Sequence, residues 1–429
     1  MQVLIADSLA PTAVAELESM GCAVQNKPSL SADDLPGAIA GVNVLIVRST
    51  KVTSAVFEAA DSLALVVRAG AGVNTIDLEA ADHSGVFVAN CPGKNADAVA
   101  ELALGLIIAA DRGIAGATAD IGSGRWRKKH YGAAAGLRGR TLGILGYGTI
   151  GQIVAGYGAA LGMKRLVWSR SLTPERAEAE GVQFAASPLD VARNADVVTL
   201  HLAVTPETRG LINDEFLQEM KEGAILVNTS RGEIVDQEAL AAAIQKKKLR
   251  VALDVYAGEP GGGEAEWTPS GLSCPGGPVP GGGASSGAGA GSPAPAADPT
   301  GDQAPALRAA TPHIGASTAQ ASDAIAAEAV RIVRVFKETG APVNAVNVGE
   351  TGRAQYTLVV RHRNRVGVLA GVLDSLRENN VNVEEMTNTI FQRGETASCS
   401  LRLAGEPDAA TLERIRGQEH VLAVRGERA

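Results

Sequence analysis

The sequence predicts an α/β protein with two doubly wound parallel sheets, followed by a small unit of ferredoxin-like order. Three observations carry this. Residues 1–95 alternate short apolar runs with helical stretches. A second series of the same kind runs from 140 to 256 and opens with a strand that ends in glycines. Residues 354–427 read in the order β-α-β-β-α-β.

The first series places strands at VLIA (3–6), VLIVR (44–48), ALVVRAG (64–70) and VFVAN (86–90), with helices over 11–20, 52–60 and 76–83. Continuous apolar runs of this length, separated by helices, suit strands buried on both faces of a parallel sheet. A long apolar helix is expected over 95–118. The second series gives strands at TLGILG (141–146), RLVWS (165–169), VVTLHL (197–202), AILVNT (224–229) and RVALDVY (250–256). A helix follows over 317–338, and NAVNV (344–348) leads into a hinge. In the last unit YTLVVRH (356–362), VNVEEMTNTIF (381–391), TASCSLRLA (396–404) and VLAVRGE (421–427) read as strands. Helices fall over 368–379 and 408–417.

Residues 261–310 differ from all of this, since 37 of the 50 are Gly, Pro, Ala or Ser. Such a stretch cannot bury enough apolar surface to offset its ordering entropy, so 261–306 is expected to be a disordered insertion.

The net charge of −8 provides no basic footprint for nucleic acid and argues against an anionic membrane surface. No apolar run is long enough for a membrane span. The first residues, MQVLIADSLAP, read as a strand rather than a signal peptide. Cysteines 22, 91, 274 and 399 form no CxxC pair, so no metal is expected, and they read as thiols of a cytoplasmic protein.

The sharpest local motif is Gly146-Tyr-Gly148-Thr149-Ile150-Gly151, which follows a strand and opens a helix. That context makes it a dinucleotide cradle. Gly146 permits the tight turn, Gly148 lets the backbone approach a pyrophosphate, and Gly151 allows close helix–strand packing. The free N–H groups of the helix start favour the phosphates. About 20 residues on, an NAD-binding fold places an acidic residue on the ribose. Here Ser169, Arg170 and Ser171 stand instead and suit a 2′-phosphate, so NADP is open beside NAD.

Three further segments carry polar residues that a buried core does not need: Arg231 in NTSRGEIVD, Asp254 and Glu259 in LDVYAGEP, and His313 in TPHIGAST. All flank the carboxyl edge of the second sheet, where α/β ligands bind. A histidine has the intrinsic pKa to take a hydroxyl proton, a carboxylate orients it, and an arginine grips a carboxylate in a bidentate fork.

With its Arg, Glu and His in this order, the chain resembles the D-isomer-specific 2-hydroxyacid dehydrogenase family. The resemblance implies that Arg231, Glu259 and His313 are catalytic, with His313 as the acid/base. It puts Asp254 near the nicotinamide, and His201, Leu202, Thr229, Ser230 and Gly315 along the cofactor. Glu259 and His313 lie 54 positions apart, farther than in the family, and only ALRAATPH (306–313) remains to supply the strand leading to His313.

The segments Val47–Thr53 and Arg68–Asp77 resemble the phosphoglycerate dehydrogenase branch. That match implies a small phosphorylated hydroxy acid as substrate, with Arg48 and Ser49 at its phosphate, the N–H groups around Ala71 and Gly72 at its carboxylate, and Asn74 shaping the site. The basic run Arg125–His130 adds positive potential. HRNRVGVL (362–369) and Asn382 resemble an ACT domain, with Val366 in place of the usual proline. His362, Asn364 and Asn382 match residues that hold an L-serine effector between paired units, which implies a homodimer or homotetramer. The resulting organisation is a substrate domain from 1–96 plus 315–345, a Rossmann cofactor domain at 97–314, and an ACT-like unit at 354–429. A hydroxypyruvate or glyoxylate reductase, or a non-catalytic cofactor-sensing protein, is the alternative.

Overall fold

The computed structural model describes residues 1–260, 265–269, 272, 307–349 and 354–428. They fall into two compact units, Met1–Val346 and the chain from Asn347 onward.

The first unit holds both parallel sheets. One has five strands, β1 (Gln2–Ile5), β2 (Ala23–Asn26), β3 (Val44–Val47), β4 (Leu65–Arg68) and β5 (Phe87–Asn90), in the order β2-β1-β3-β4-β5. The order reverses between β1 and β3, and that is where such a sheet opens a ligand crevice. Val44–Val47 is buried throughout, as the unbroken apolar run requires. The helix Ala319–Thr339 returns to this sheet, burying Ile325, Ala329, Ile332 and Val333 against Val3, Ile5, Val44 and Val67. Thr318 caps it, accepting from the Ala321 N–H at 3.1 Å.

The second sheet has seven strands, β6 (Thr141–Leu145), β7 (Lys164–Trp168), β8 (Gln183–Phe184), β9 (Val197–Leu200), β10 (Ile225–Asn228), β11 (Arg250–Leu253) and β12 (Leu307–Ala310). Their order is β12-β11-β10-β9-β6-β7-β8, all parallel. This is the Rossmann order, with its switch point between β6 and β9. Strands β2 and β8 escape the sequence reading because neither carries an apolar run: β2 is AVQN, and both residues of β8 are exposed.

The expected helix over 95–118 is in fact two, Ala96–Arg112 and Ile114–Gly122, broken at Gly113, which takes the left-handed φ of 65°. A Cβ at Gly113 would lie 3.2 Å from the Tyr131 ring, so glycine suits both the turn and the packing.

The expected insertion at 261–306 lies mostly outside the described residues. Its described part docks on the second sheet: Trp267 meets the Tyr256 ring edge to face at 5.1 Å, and Leu272 is buried in the core.

The second unit is an antiparallel sheet of β13 (Tyr356–Arg363), β14 (Val383–Ile390), β15 (Thr396–Leu403) and β16 (Val421–Arg428), in the order β14-β15-β13-β16. Helices Val368–Glu378 and Ala409–Arg416 complete the ferredoxin-like sandwich. Strand β15 alternates buried Ala397, Cys399, Leu401 and Leu403 with part-exposed neighbours, the period-2 pattern of a half-buried sheet. No helix among the described residues is long and apolar enough to cross a membrane.

Candidate active site

The phosphate loop connects β6 to the helix Thr149–Ala160. Gly146 has φ 98°, and a Cβ there would lie 2.2 Å from the His201 carbonyl oxygen; one at Gly151 would lie 2.1 Å from the Gly146 oxygen. Both positions exclude side chains for packing reasons. At Gly148, the helix N-cap, a Cβ would meet nothing within 4 Å. The loop is therefore closed beneath and open above, and Thr149 and Ile150 start the helix whose N–H groups face that opening.

Around it, His201 is half-buried, and desolvation of the ring lowers its pKa to about 4, so the ring is neutral. Its Nε2 lies 3.0 Å from Thr199 Oγ1, while its Nδ1 and the Thr229 Oγ1 are buried without a protein partner. Ser230 Oγ donates to the Leu200 carbonyl at 2.5 Å and accepts from the Leu202 N–H at 3.2 Å. An open glycine loop with unmet polar atoms beside it fits a dinucleotide. Ser169 and Arg170 follow β7, next to Gly146, whose N–H donates to the Trp168 carbonyl. Arg170 is exposed.

The catalytic candidates come from three strand ends. His313 Nδ1 bonds Glu259 Oε1 across 54 residues, so the pair forms in spite of the spacing. The weakly apolar segment 307–310 forms β12 beside β11, which delivers His313 to the carboxyl edge. His313 takes a left-handed φ of 53°, unfavourable for a non-glycine residue. Asp254 explains how it is held. The carboxylate is buried and accepts from Thr311 Oγ1 at 2.7 Å, the Ile314 N–H at 2.8 Å and the Gly315 N–H at 2.9 Å. The His313 N–H donates to the Asp254 carbonyl at 2.8 Å. Asp254, expected to lie near a nicotinamide, thus spends its carboxylate on building the histidine loop.

Burial of Glu259 opposes its ionisation. The bond with His313, the Tyr256 N–H at 3.0 Å and the charges of His313 and Arg231 outweigh it, and the carboxyl titrates below its usual range. Arg231 donates to its neighbour's carbonyl, Ser230 O, at 2.6 Å and points across to the first sheet, where a Cβ on Gly72 would lie 2.8 Å from its Nη2 and 3.3 Å from Asn74 Oδ1. The Ala71 and Gly72 N–H groups donate to no other described residue, while the Ala71 carbonyl accepts from Asn90 Nδ2 at 2.6 Å.

The sequence reading missed Arg68. Its side chain folds back over Gly70, where a Cβ would fall 1.5 Å from Nη1. Burial, then the charges of Arg231 and Arg48, lower its pKa; Cys91 and Asp7 offset them only in part. Its Nε is buried without a partner. Arg68, Arg231 and Arg48 thus act on one another, with the carboxylates of Asp7 and Glu259 beside them. The signals for it were its place at the carboxyl end of β4 and at the head of the segment Arg68–Asp77. Ser49 and Arg48 line an open cleft with Asp7, Ser317, Thr318 and Ser322. The basic run contributes less than its charge suggests, because Asp120 binds Arg125 at 2.7 Å and Arg127 at 3.6 Å.

In the second unit the three effector candidates are not brought together. His362 is buried, with Nδ1 2.8 Å from the Arg363 carbonyl and Nε2 3.2 Å from Asn388 Oδ1. The Asn364 amide donates to Gly394 O and that of Asn382 to Glu384 Oε1. Register puts Asn382 at the other end of the sheet: Val383 pairs with Leu403, which pairs with Tyr356, whereas His362 pairs with Ala397. That is six residues, roughly 20 Å along the strand.

Residues 104–273 match the model of the D-isomer-specific 2-hydroxyacid dehydrogenase NAD-binding domain. The chain is 40% identical over 262 residues, 61% of its length, to the D-3-phosphoglycerate dehydrogenase of Methanocaldococcus jannaschii, and spans 50% of that relative. To the enzyme of that name from Mycobacterium bovis it is 34% identical over 421 residues, 97% of this chain and 69% of the relative. The NAD+-bound 3-phosphoglycerate dehydrogenase of Entamoeba histolytica superposes on 82% of this chain and 99% of its own, with TM-score 0.61 and 25% identity. The chain therefore belongs to the D-isomer-specific 2-hydroxyacid dehydrogenase family, and its second sheet is that family's NAD-binding domain.

Proposed function

We propose that this chain oxidises 3-phosphoglycerate to 3-phosphohydroxypyruvate, the reaction named by its relatives. The observation that carries the reading is the His313–Glu259 pair with Arg231 acting on Glu259, and with Arg68 feeling the charges of both Arg231 and Arg48. A substrate with a carboxylate at one end and a phosphate at the other balances those charges. Arg231 with the free Ala71 and Gly72 N–H groups takes the carboxylate. Arg48, Arg68 and the Ser49 hydroxyl take the phosphate, and Asn74 shapes the wall between.

NAD, with its pyrophosphate held by the Gly146–Gly151 loop, would supply the hydride acceptor. The chain supplies the rest. Glu259 engages Nδ1 of His313, which leaves Nε2 to take the hydroxyl proton as the C–H bond breaks and the carbonyl forms. Glu259 stabilises the imidazolium that results. In the reverse direction Nε2 returns that proton to the carbonyl oxygen, which Arg231 polarises. Domain closure between the 1–96/315–345 and 97–314 parts excludes water.

The test is a set of rates at 340 nm with 3-phosphohydroxypyruvate, hydroxypyruvate and glyoxylate, each with NADH and with NADPH. A higher kcat/KM for hydroxypyruvate or glyoxylate than for 3-phosphohydroxypyruvate overturns the phosphorylated substrate in favour of a reductase. No turnover with retained nucleotide binding favours a cofactor-sensing protein. Exposed Arg170, beside Ser169 and Ser171, favours acceptance of NADP as well as NAD; Arg170→Ala should then lower kcat/KM for NADPH and leave that for NADH.

For the second unit the proposed ligand is L-serine, bound between paired copies in a homodimer or homotetramer. Strand β14 is an edge strand, exposed from Glu384 to Ile390. Antiparallel pairing of two such edges brings Asn382 of one copy level with His362 of the other. L-serine titration that changes neither rate nor binding removes the effector. A cytoplasmic location goes with this reading, supported by buried free thiols at Cys22, Cys91 and Cys399.

A further inference from the structure

We infer that Asp7 is a positioning residue for the distal-anion site. The inference rests on the reading above, in which Arg48 binds the substrate phosphate. Asp7 follows β1 and Arg48 follows β3, the two neighbouring strands at which the sheet order reverses. One carboxylate oxygen of Asp7, Oδ2, accepts from three consecutive backbone N–H groups: Arg48 at 2.7 Å, Ser49 at 3.1 Å and Thr50 at 3.0 Å. Successive N–H groups that converge on one point form an anion-binding nest. Here the chain fills the nest with its own anion.

Two consequences follow. The backbone that carries Arg48 is fixed at its root, so the guanidinium reaches the cleft from a set direction. The nest is also closed to the substrate, and Asp7's charge repels an anion placed there. Recognition of the phosphate falls to the side chains of Arg48 and Arg68. The negative charge of Asp7 also weakly favours the charged form of Arg68. Asp7 therefore sets the length of anionic substrate the site accepts. It touches no reacting atom.

The test uses the full chain with Asp7→Ala, Asp7→Asn and, as reference, Arg48→Ala. The readout is the ratio of kcat/KM for 3-phosphohydroxypyruvate to that for hydroxypyruvate. Asp7→Ala should lower this ratio about tenfold, mostly through KM for the phosphorylated substrate, with a smaller effect from Asp7→Asn, which keeps an acceptor oxygen. Formate, a small carboxylate that fits the emptied nest, should restore the ratio in Asp7→Ala but not in Arg48→Ala. Equal loss on both substrates marks Asp7 as merely structural and overturns the inference. An unmoved ratio in both Asp7 variants with a lowered one in Arg48→Ala overturns it too, yet leaves the reading of Arg48 standing. An unmoved ratio in Arg48→Ala removes both. If Asp7→Ala does not fold, judged by NADH fluorescence binding, Asp7→Asn carries the test; failure of both to fold overturns the positioning role.

Discussion

Replacing Glu328 by glutamine should destabilise the Met1–Val346 unit in a pH-dependent way. Glu328 lies on the helix Ala319–Thr339 and is 5% exposed. It accepts from Arg331 at 2.6 and 3.0 Å and from Asn344 Nδ2 at 2.8 Å, and it pairs with Lys94 at 3.3 Å. Lys94 stands where the chain leaves the first sheet, and Asn344 where it returns along β5. The carboxylate thus ties together three distant segments. The Arg331 bond, then those from Asn344 and Lys94, lower its pKa from 4.5 to about 2 against the cost of burial. A depression of that size corresponds to about 3 kcal/mol at neutral pH. Arg331 and Lys94 are 47% and 42% exposed, so screening should bring the measured loss to about 2 kcal/mol. Because the folded pKa is depressed, this stability is complete above 4.5 and fades as the pH falls toward 2. Urea unfolding of wild type and Glu328→Gln at pH 7 and near pH 3 measures it. The gap between them should shrink to about half at the lower pH. A gap below about 0.5 kcal/mol at pH 7, or one that does not change with pH, refutes the reasoning.

Gly72→Ala should push the Arg231 guanidinium aside, since the new methyl would lie 2.8 Å from Nη2; kcat/KM should fall about tenfold or more with Tm almost unchanged. Glu259→Gln should lower kcat about 100-fold in stopped-flow turnover while NADH still binds, because the imidazole loses its charged partner. As the Glu259 carboxyl titrates below its usual range, its contribution to stability is full at neutral pH, so the variant's deficit in Tm should narrow only below about pH 4.5. Gly151→Ala should abolish nucleotide binding, measured by NADH fluorescence, because a Cβ 2.1 Å from the Gly146 oxygen cannot be accommodated without moving the loop.

Much of the fold was legible because its determinants are local. Apolar runs such as Val44–Val47 state their own burial, and the strand–glycine–helix context of Gly146–Gly151 specifies a phosphate cradle over a dozen residues. Arg231, Glu259 and His313 were legible by type and order as well. Their meeting was not, because it depends on strand order: β12 must form from a weakly apolar segment and lie beside β11 before His313 can reach Glu259. Arg68 and Asp7 stayed hidden for the same reason. Each is an ordinary strand-end residue until the sheet gathers β1, β3 and β4 at one edge, where a guanidinium Nε is buried without a hydrogen-bond partner and a carboxylate finds three N–H groups. The effector residues show the reverse. Their sequence pattern suggested one site, and the antiparallel register separates them within a chain. Periodicity and turn chemistry act over a few residues and so belong to the sequence alone. Which charges share a crevice is decided by packing between segments tens to hundreds of residues apart, and only the tertiary structure determines it.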